Sequence, residues 1–187
     1  MAIDTNKYND IFKRAAEKYK FGGKTVLILK GIVMVESTFR PRAYRFEPAF
    51  FKKLAKKDPW WADKDPSIVS ASYGLAQIMF TTAWALGMKP ANWKTMKHAD
   101  FQALAERLYD PEVNIFYEAQ LVRALIDKVW EDGIPNTFEH LSAWDCALSR
   151  FNGGSYKNPD EGGVLRNQSY VDKVWRAHKE ILAKEKA

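Results

Sequence analysis

The chain has 187 residues, 47% of them hydrophobic, which is enough for one packed domain. Its single cysteine, Cys146, excludes an intrachain disulfide, and no apolar run approaches the length of a membrane span. A net charge of +6, from 29 Lys and Arg against 23 Asp and Glu, favours anionic partners, although the charges are scattered.

The N-terminus, "MAIDTNKYND", lacks a basic segment followed by an apolar one, so no secretory signal is expected. From about Asn6 to Lys20, Ile11, Phe12, Ala15, Ala16 and Tyr19 trace an amphipathic helix ended by Gly22 and Gly23. Lys24 to about Ser37 is apolar nearly all round, as in a buried central helix; its β-branched content would also suit a strand. Pro41 closes it. Glu47–Lys57 reads as a short helix opened by Pro48, with the cluster "KKLAKK" on its wet face. Asp58–Tyr73 reads as loop, with room for a minor hairpin around Ser67–Ile78. Thr82–Leu86 is a short helix stopped by Gly87, and Asp100 caps another running to about Leu108. Asp110 and Pro111 start a long helix to about Glu131, stopped near Gly133. Asn136 or Thr137 caps a helix to Phe151, and a last one runs from about Ser169 to Lys184.

Several motifs fail on inspection. "GGKT" at Gly22–Thr25 has Lys18 where a phosphate-binding loop needs glycine. His98, His140 and His178 lack ligand spacing, so no metal site and no cofactor is expected. Cys146 and His140 would face roughly opposite sides of one helix, which suits a buried structural cysteine. No helix-turn-helix or basic-aromatic signature supports a nucleic-acid partner. Trp60 and Trp61 either cover a cleft and stack on a sugar or pin their loop to the body; Trp84, Trp93, Trp130, Trp144 and Trp175 suit core or partly buried positions.

Glu36 stands out in "GIVMVESTFRPRAYRFEP". It follows Ile32, Val33, Met34 and Val35, and shares its helix side with Leu29, Ile32 and Val33. Apolar surroundings and the negative end of the helix dipole both disfavour its ionised form. Such a group holds a proton near neutral pH, as a general acid must. The alternative is a frayed helix end with Glu36 turned to solvent.

Four later segments follow "ESTF" in order: "SYGLAQIMFTTAWALG", "LYDPEVNIFYEAQLV", "ALSRFNGG" and "SYVDKVW". Together they resemble the soluble lytic transglycosylase family of peptidoglycan-cleaving enzymes, over roughly Gly22 to Trp175. The resemblance implies a mainly α, lysozyme-like domain over 1–187, with at most a minor β-hairpin and an inserted loop and helix at about 45–70. It implies Glu36 as the sole acid/base, with Ser37, Tyr73, Gly74, Gln77, Met79, Phe151, Asn152 and Tyr170 around the glycan; "DPEVNI" would be structural. Ala76, Phe80 and Phe151 stand where the family has Met, Pro and Tyr. Phe151 lacks the hydroxyl that contacts the family's glutamate, so Tyr170, Tyr73 or water would orient Glu36. "RFEP" followed by "SYGL" looks like a phage-associated branch.

What this implies is cleavage of the MurNAc–GlcNAc β-1,4 bond in peptidoglycan glycan strands, with ring closure to 1,6-anhydromuramyl products. The rival is hydrolysis with a second carboxylate, for which Glu47, Asp58, Asp63 and Asp65 are candidates and Glu47 is foremost. Glu47 could equally be a first-turn charge or pair with Arg45 or Arg42. A catalytically silent glycan-binding or virion module is a further alternative. The expected protein is a monomeric endolysin of a bacteriophage or a virion-borne lysin. It would be made in the host cytoplasm, released by a holin, and drawn to anionic cell-envelope polymers.

Overall fold

The computed structural model describes residues 3–22, 25–133, 142–153 and 165–186. In chain order, α1 is Asn9–Lys18, α2 is Thr25–Ser37, β1 is Tyr44–Phe46 and α3 is Pro48–Lys57. A one-turn α4 (Pro66–Val69) leads to β2 (Ala71–Tyr73), β3 (Ile78–Met79) and α5 (Phe80–Ala83). Then come α6 (His98–Arg107), α7 (Pro111–Asp132), α8 (Ala143–Gly153) and α9 (Gln168–Glu185). The described chain is mainly helical with one small antiparallel sheet ordered β1-β2-β3.

Helix α2 is the central element, and its composition explains why. Ile28, Leu29, Ile32 and Val33 are all buried, so the all-round apolar segment forms a helix rather than a strand. Gly31 lets α9 come close: a Cβ there would meet the Val174 carbonyl oxygen at 3.0 Å. Lys30, also buried, forms an ion pair with Glu185 near the end of α9 and reaches Asn6 Oδ1 at 3.3 Å. The short apolar stripe of α1 (Phe12, Ala15, Ala16) packs against α2 and α7.

Two consecutive left-handed residues, Thr38 (φ 52°) and Phe39 (φ 59°), end α2 just after Glu36. Such conformations cost a non-glycine residue on the order of 1–3 kcal/mol each. Packing offsets that: Phe39 is buried, edge-on to Phe12. The Ser37 carbonyl, exposed by the helix end, accepts from Arg40 Nε (2.9 Å) and Thr38 Oγ1 (2.6 Å). The turn therefore holds the final residues of α2 in place.

The sheet differs from the expected hairpin. It has a third strand, β1, whose three residues are all exposed and show no apolar alternation. The expected loop Asp58–Tyr73 contains a 3-10 turn at Pro59–Trp61, α4 and β2, with Asp58 and Asp65 capping the two turns. Trp60 and Trp61 pin this insertion to the body: Trp60 packs on Trp61, Trp84, Trp93 and Phe101 with centroids 4.7–5.9 Å apart. Each such pair contributes about 0.5–1.5 kcal/mol beyond area burial. Lys52, Lys53, Lys56 and Lys57 are exposed on α3, the wet face expected of them.

Other expectations shift. The helix expected at Thr82–Leu86 is α5 followed by a π turn through Met88, with Gly87 at φ 111°. Asp100 is not the cap residue of α6; it sits in the first turn and accepts from Lys97 N at 2.7 Å. Trp130 is 66% exposed, not core, because it lies off the buried stripe of α7. Asn136, Thr137 and His140 lie outside the described residues; α8 instead opens with Ser142 and Asp145 exchanging hydrogen bonds. Cys146 is fully buried, and burial pushes its thiol up to about 11.

Candidate active site

The sheet's register builds one wall of a cleft. Arg45 pairs with Ser72 and Ser72 with Met79, so the three side chains form one cross-sheet row. All three line a cleft of about 470 Å³, together with Glu36, Glu47, Gln77 and Phe151. Leu121 and Leu125 of α7, Arg150, Asn152 and Gly153 of α8, and Phe50 and Thr82 complete it. Neighbouring residues in the strands point the other way. Tyr73, paired with Tyr44 and Ile78, is buried on the opposite face and donates its hydroxyl to the Ile68 carbonyl at 2.9 Å.

The turn after β2 is fixed from behind. Asn114 of α7 accepts from Ala76 N (2.8 Å) and donates to the carbonyls of Tyr73 and Leu108 (2.8 Å each). Gly74 lies against this side chain at φ 74°; a Cβ would come within 2.3 Å of the Leu108 carbonyl and 2.4 Å of Asn114 Nδ2. Gln77 takes a left-handed conformation (φ 49°) and donates from Nε2 to the Gly74 carbonyl at 3.0 Å. Asn114 thus holds the segment that carries Gln77 and Met79 into the cleft, beyond starting the long helix.

Glu36 reaches the cleft from the C-terminal turn of α2, its side chain 7% exposed. Burial lifts its carboxyl above the ordinary glutamate range. The Tyr170 hydroxyl and then the Arg45 guanidinium pull it part of the way back, and Glu47 adds a smaller push upward. Arg45 Nη1 stands 4.0 Å from Glu36 Oε2 and its Nε donates to Glu47 Oε1 at 2.6 Å, so one guanidinium sits between the two carboxylates. Arg45 is exposed and Glu47 partly so, so solvent screens that pair.

Tyr170 of α9 is buried with its ring stacked on Phe151 at 6.4 Å. Its hydroxyl interacts with Glu36, but not with the geometry of a formed hydrogen bond. Of the other residues expected at the site, Glu36, Gln77, Met79, Phe151, Asn152 and Glu47 come together on the cleft. Ser37, Tyr73, Gly74 and Tyr170 do not line it. Ser37 is buried and donates to the Val33 carbonyl at 3.3 Å; Gly74 shapes the turn behind.

Sequence reasoning missed Arg45, Ser72 and Glu118. Arg45 was visible only as a partner for Glu47, because its cross-strand neighbour was not foreseen. Glu118 lies on α7 between buried Ile115 and Val122, three residues after one and four before the other. It is 0% exposed, with neither carboxyl oxygen hydrogen-bonded among the described residues. Burial, and then the Glu36 charge, push it well above the ordinary range. Compared with known proteins, the chain matches no family model, no curated protein and no solved structure.

Proposed function

We propose that the chain is a lysozyme-like peptidoglycan-cleaving enzyme of the lytic transglycosylase type, with Glu36 as acid and base. The observation that carries this reading is the contrast within the cleft. Glu36 is a nearly buried carboxyl biased toward its protonated form, while Glu47, the other cleft carboxylate among the described residues, is partly exposed and tied to Arg45. The resemblance of "ESTF", "SYGLAQIM" and the later segments to that family supports it.

In the reaction, Glu36 gives its proton to the glycosidic oxygen between N-acetylmuramic acid and N-acetylglucosamine, and positive charge develops at C1. Glu36, now ionised, removes the proton of the muramyl C6 hydroxyl as that oxygen attacks C1. The 1,6-anhydro ring closes and Glu36 regains a proton. No water is consumed and no second carboxylate is needed. Gln77 and Asn152 offer amide groups to the sugar's acetamido and hydroxyl groups, and Met79, Leu121, Leu125 and Phe151 offer apolar wall. The net charge of +6 and the exposed lysines of α3 favour approach to anionic envelope polymers, as a phage lysin would require.

Glu47 favours a second reading, hydrolysis, because it lines the same cleft as Glu36. Turbidity loss of purified cell walls with wild type and Glu36→Gln tests the enzyme reading; lysis by neither overturns it. Mass spectrometry of the products then decides the reaction: anhydro-muramyl ends for transglycosylation, reducing ends for hydrolysis.

A further inference from the structure

Helix α7 gives the cleft Leu121 and Leu125, and Glu118 precedes them by about one and two turns on the same side. Glu118 itself lies behind the wall, 0% exposed, so it touches neither substrate nor attacking water. Neither of its oxygens has a hydrogen-bond partner among the described residues, and neither does the Tyr170 hydroxyl. Both groups interact with Glu36, and with each other. The charged groups around this trio are Arg45 and Glu47, which act from the sheet side of the cleft; Arg150 on α8 is engaged by Asp132 at 3.0 Å. Among the described residues no cation acts on Glu118, and the charged neighbour that does, Glu36, has its own sign. An ionised Glu118 would be desolvated and repelled at once, so the neutral acid is the stable form.

We infer that Glu118 is a positioning residue for Glu36: a buried carboxylic acid whose O–H, with that of Tyr170, turns to the Glu36 carboxylate once Glu36 has released its proton. This rests on Glu36 being the acid/base. The proton balance is simple. The proton that leaves Glu36 goes to the glycosidic oxygen, and the one that returns comes from the substrate hydroxyl. Glu118 and Tyr170 keep theirs throughout and supply hydrogen bonds. Donors to the ionised form offset the desolvation that would otherwise make Glu36 too weak an acid. The buried pair behaves as a proton-retaining device in which one carboxyl cycles and the other stays protonated.

The test is carbon NMR titration of protein labelled at the glutamate carboxyls, with resonances assigned through Glu36→Gln and Glu118→Gln. Glu118 is expected to remain protonated well above the pH at which an ordinary glutamate ionises. Glu118→Leu should raise the Glu36 titration by about one unit or more and lower kcat about tenfold or more. Glu118→Gln, whose amide still donates, should restore most of both. Glu118→Met serves in place of Leu if that variant fails to fold. Ionisation of Glu118 in the ordinary glutamate range, or an apolar variant that moves neither kcat nor the Glu36 titration, overturns the inference. A wild type that lyses nothing yet gives the expected titrations would support the Glu118–Glu36 arrangement and remove the proposed function instead.

Discussion

The helical wall and the sheet wall of the cleft treat the same side chain in opposite ways. On the helical side, Glu36 and Glu118 sit in low dielectric, Glu36 with only the solvent-screened Arg45 at 4.0 Å, and burial biases both toward the neutral acid. On the sheet side and in the insertion behind it, Glu47 is held by Arg45, Asp58 caps the turn of Trp60, and Asp65 caps α4 and accepts from Ser67. Those carboxylates are exposed or capped and serve architecture. Residue type alone therefore says little about chemistry; solvent and partners decide which acid can hold a proton to give away.

The contrast can be broken most severely at Glu36. Glu36→Gln keeps the shape but has no transferable proton, and lysis of purified walls should fall by about 10²- to 10⁴-fold. Next in size is the support behind the sheet. Asn114→Leu abolishes three buried hydrogen bonds, to Ala76 N and to the Tyr73 and Leu108 carbonyls, and should cost about 2–4 kcal/mol, read from the denaturant midpoint. Lysis should fall with it even though no cleft residue is changed.

A smaller effect sharpens the helical side. Glu118 keeps its proton to higher pH in the folded state than when unfolded, so the folded state binds more protons between those two values. Stability from this group is complete below the ordinary glutamate range and declines as pH rises toward the folded value. Glu118→Gln should flatten that decline, seen as a thermal midpoint that changes less from about pH 5 to pH 8 than in wild type. Smallest is Glu47→Gln. Losing its minor upward push should move the alkaline limb of the activity profile slightly down and change the rate within about threefold. A loss of about a hundredfold or more, with reducing-end products, would make Glu47 a catalytic partner.

Much of this was legible because helices announce themselves. The stripe of α1, the apolar run of α2, Asp110 and Pro111 before α7 and Gly133 after it all mark real boundaries. Glu36 was legible for the same reason: an acid attached to an apolar run has few neutral explanations. Strand β1 was not, since Tyr44, Arg45 and Phe46 are exposed and owe their extended form to pairing with β2, a contact made across the whole insertion. The cleft's inner row depended on that register, so Arg45 and Ser72 could not be placed. Glu118 was recoverable in principle. Ile115, Ala119, Val122, Ile126 and Val129 form a buried stripe with helical spacing, and Glu118 falls inside it. Trp130 taught the reverse: an aromatic one residue past the same stripe faces solvent.

The ion pair of Lys30 with Glu185 has a practical consequence for anyone handling the protein. A cation at the centre of α2 is neutralised from the last turn of α9. Protease trimming after Lys184 would strand that cation in the interior, less than two turns from Glu36 on the same helix. Preparations clipped there should unfold more readily than intact protein, and the mass of the peptide that carries Glu185 reveals the cut.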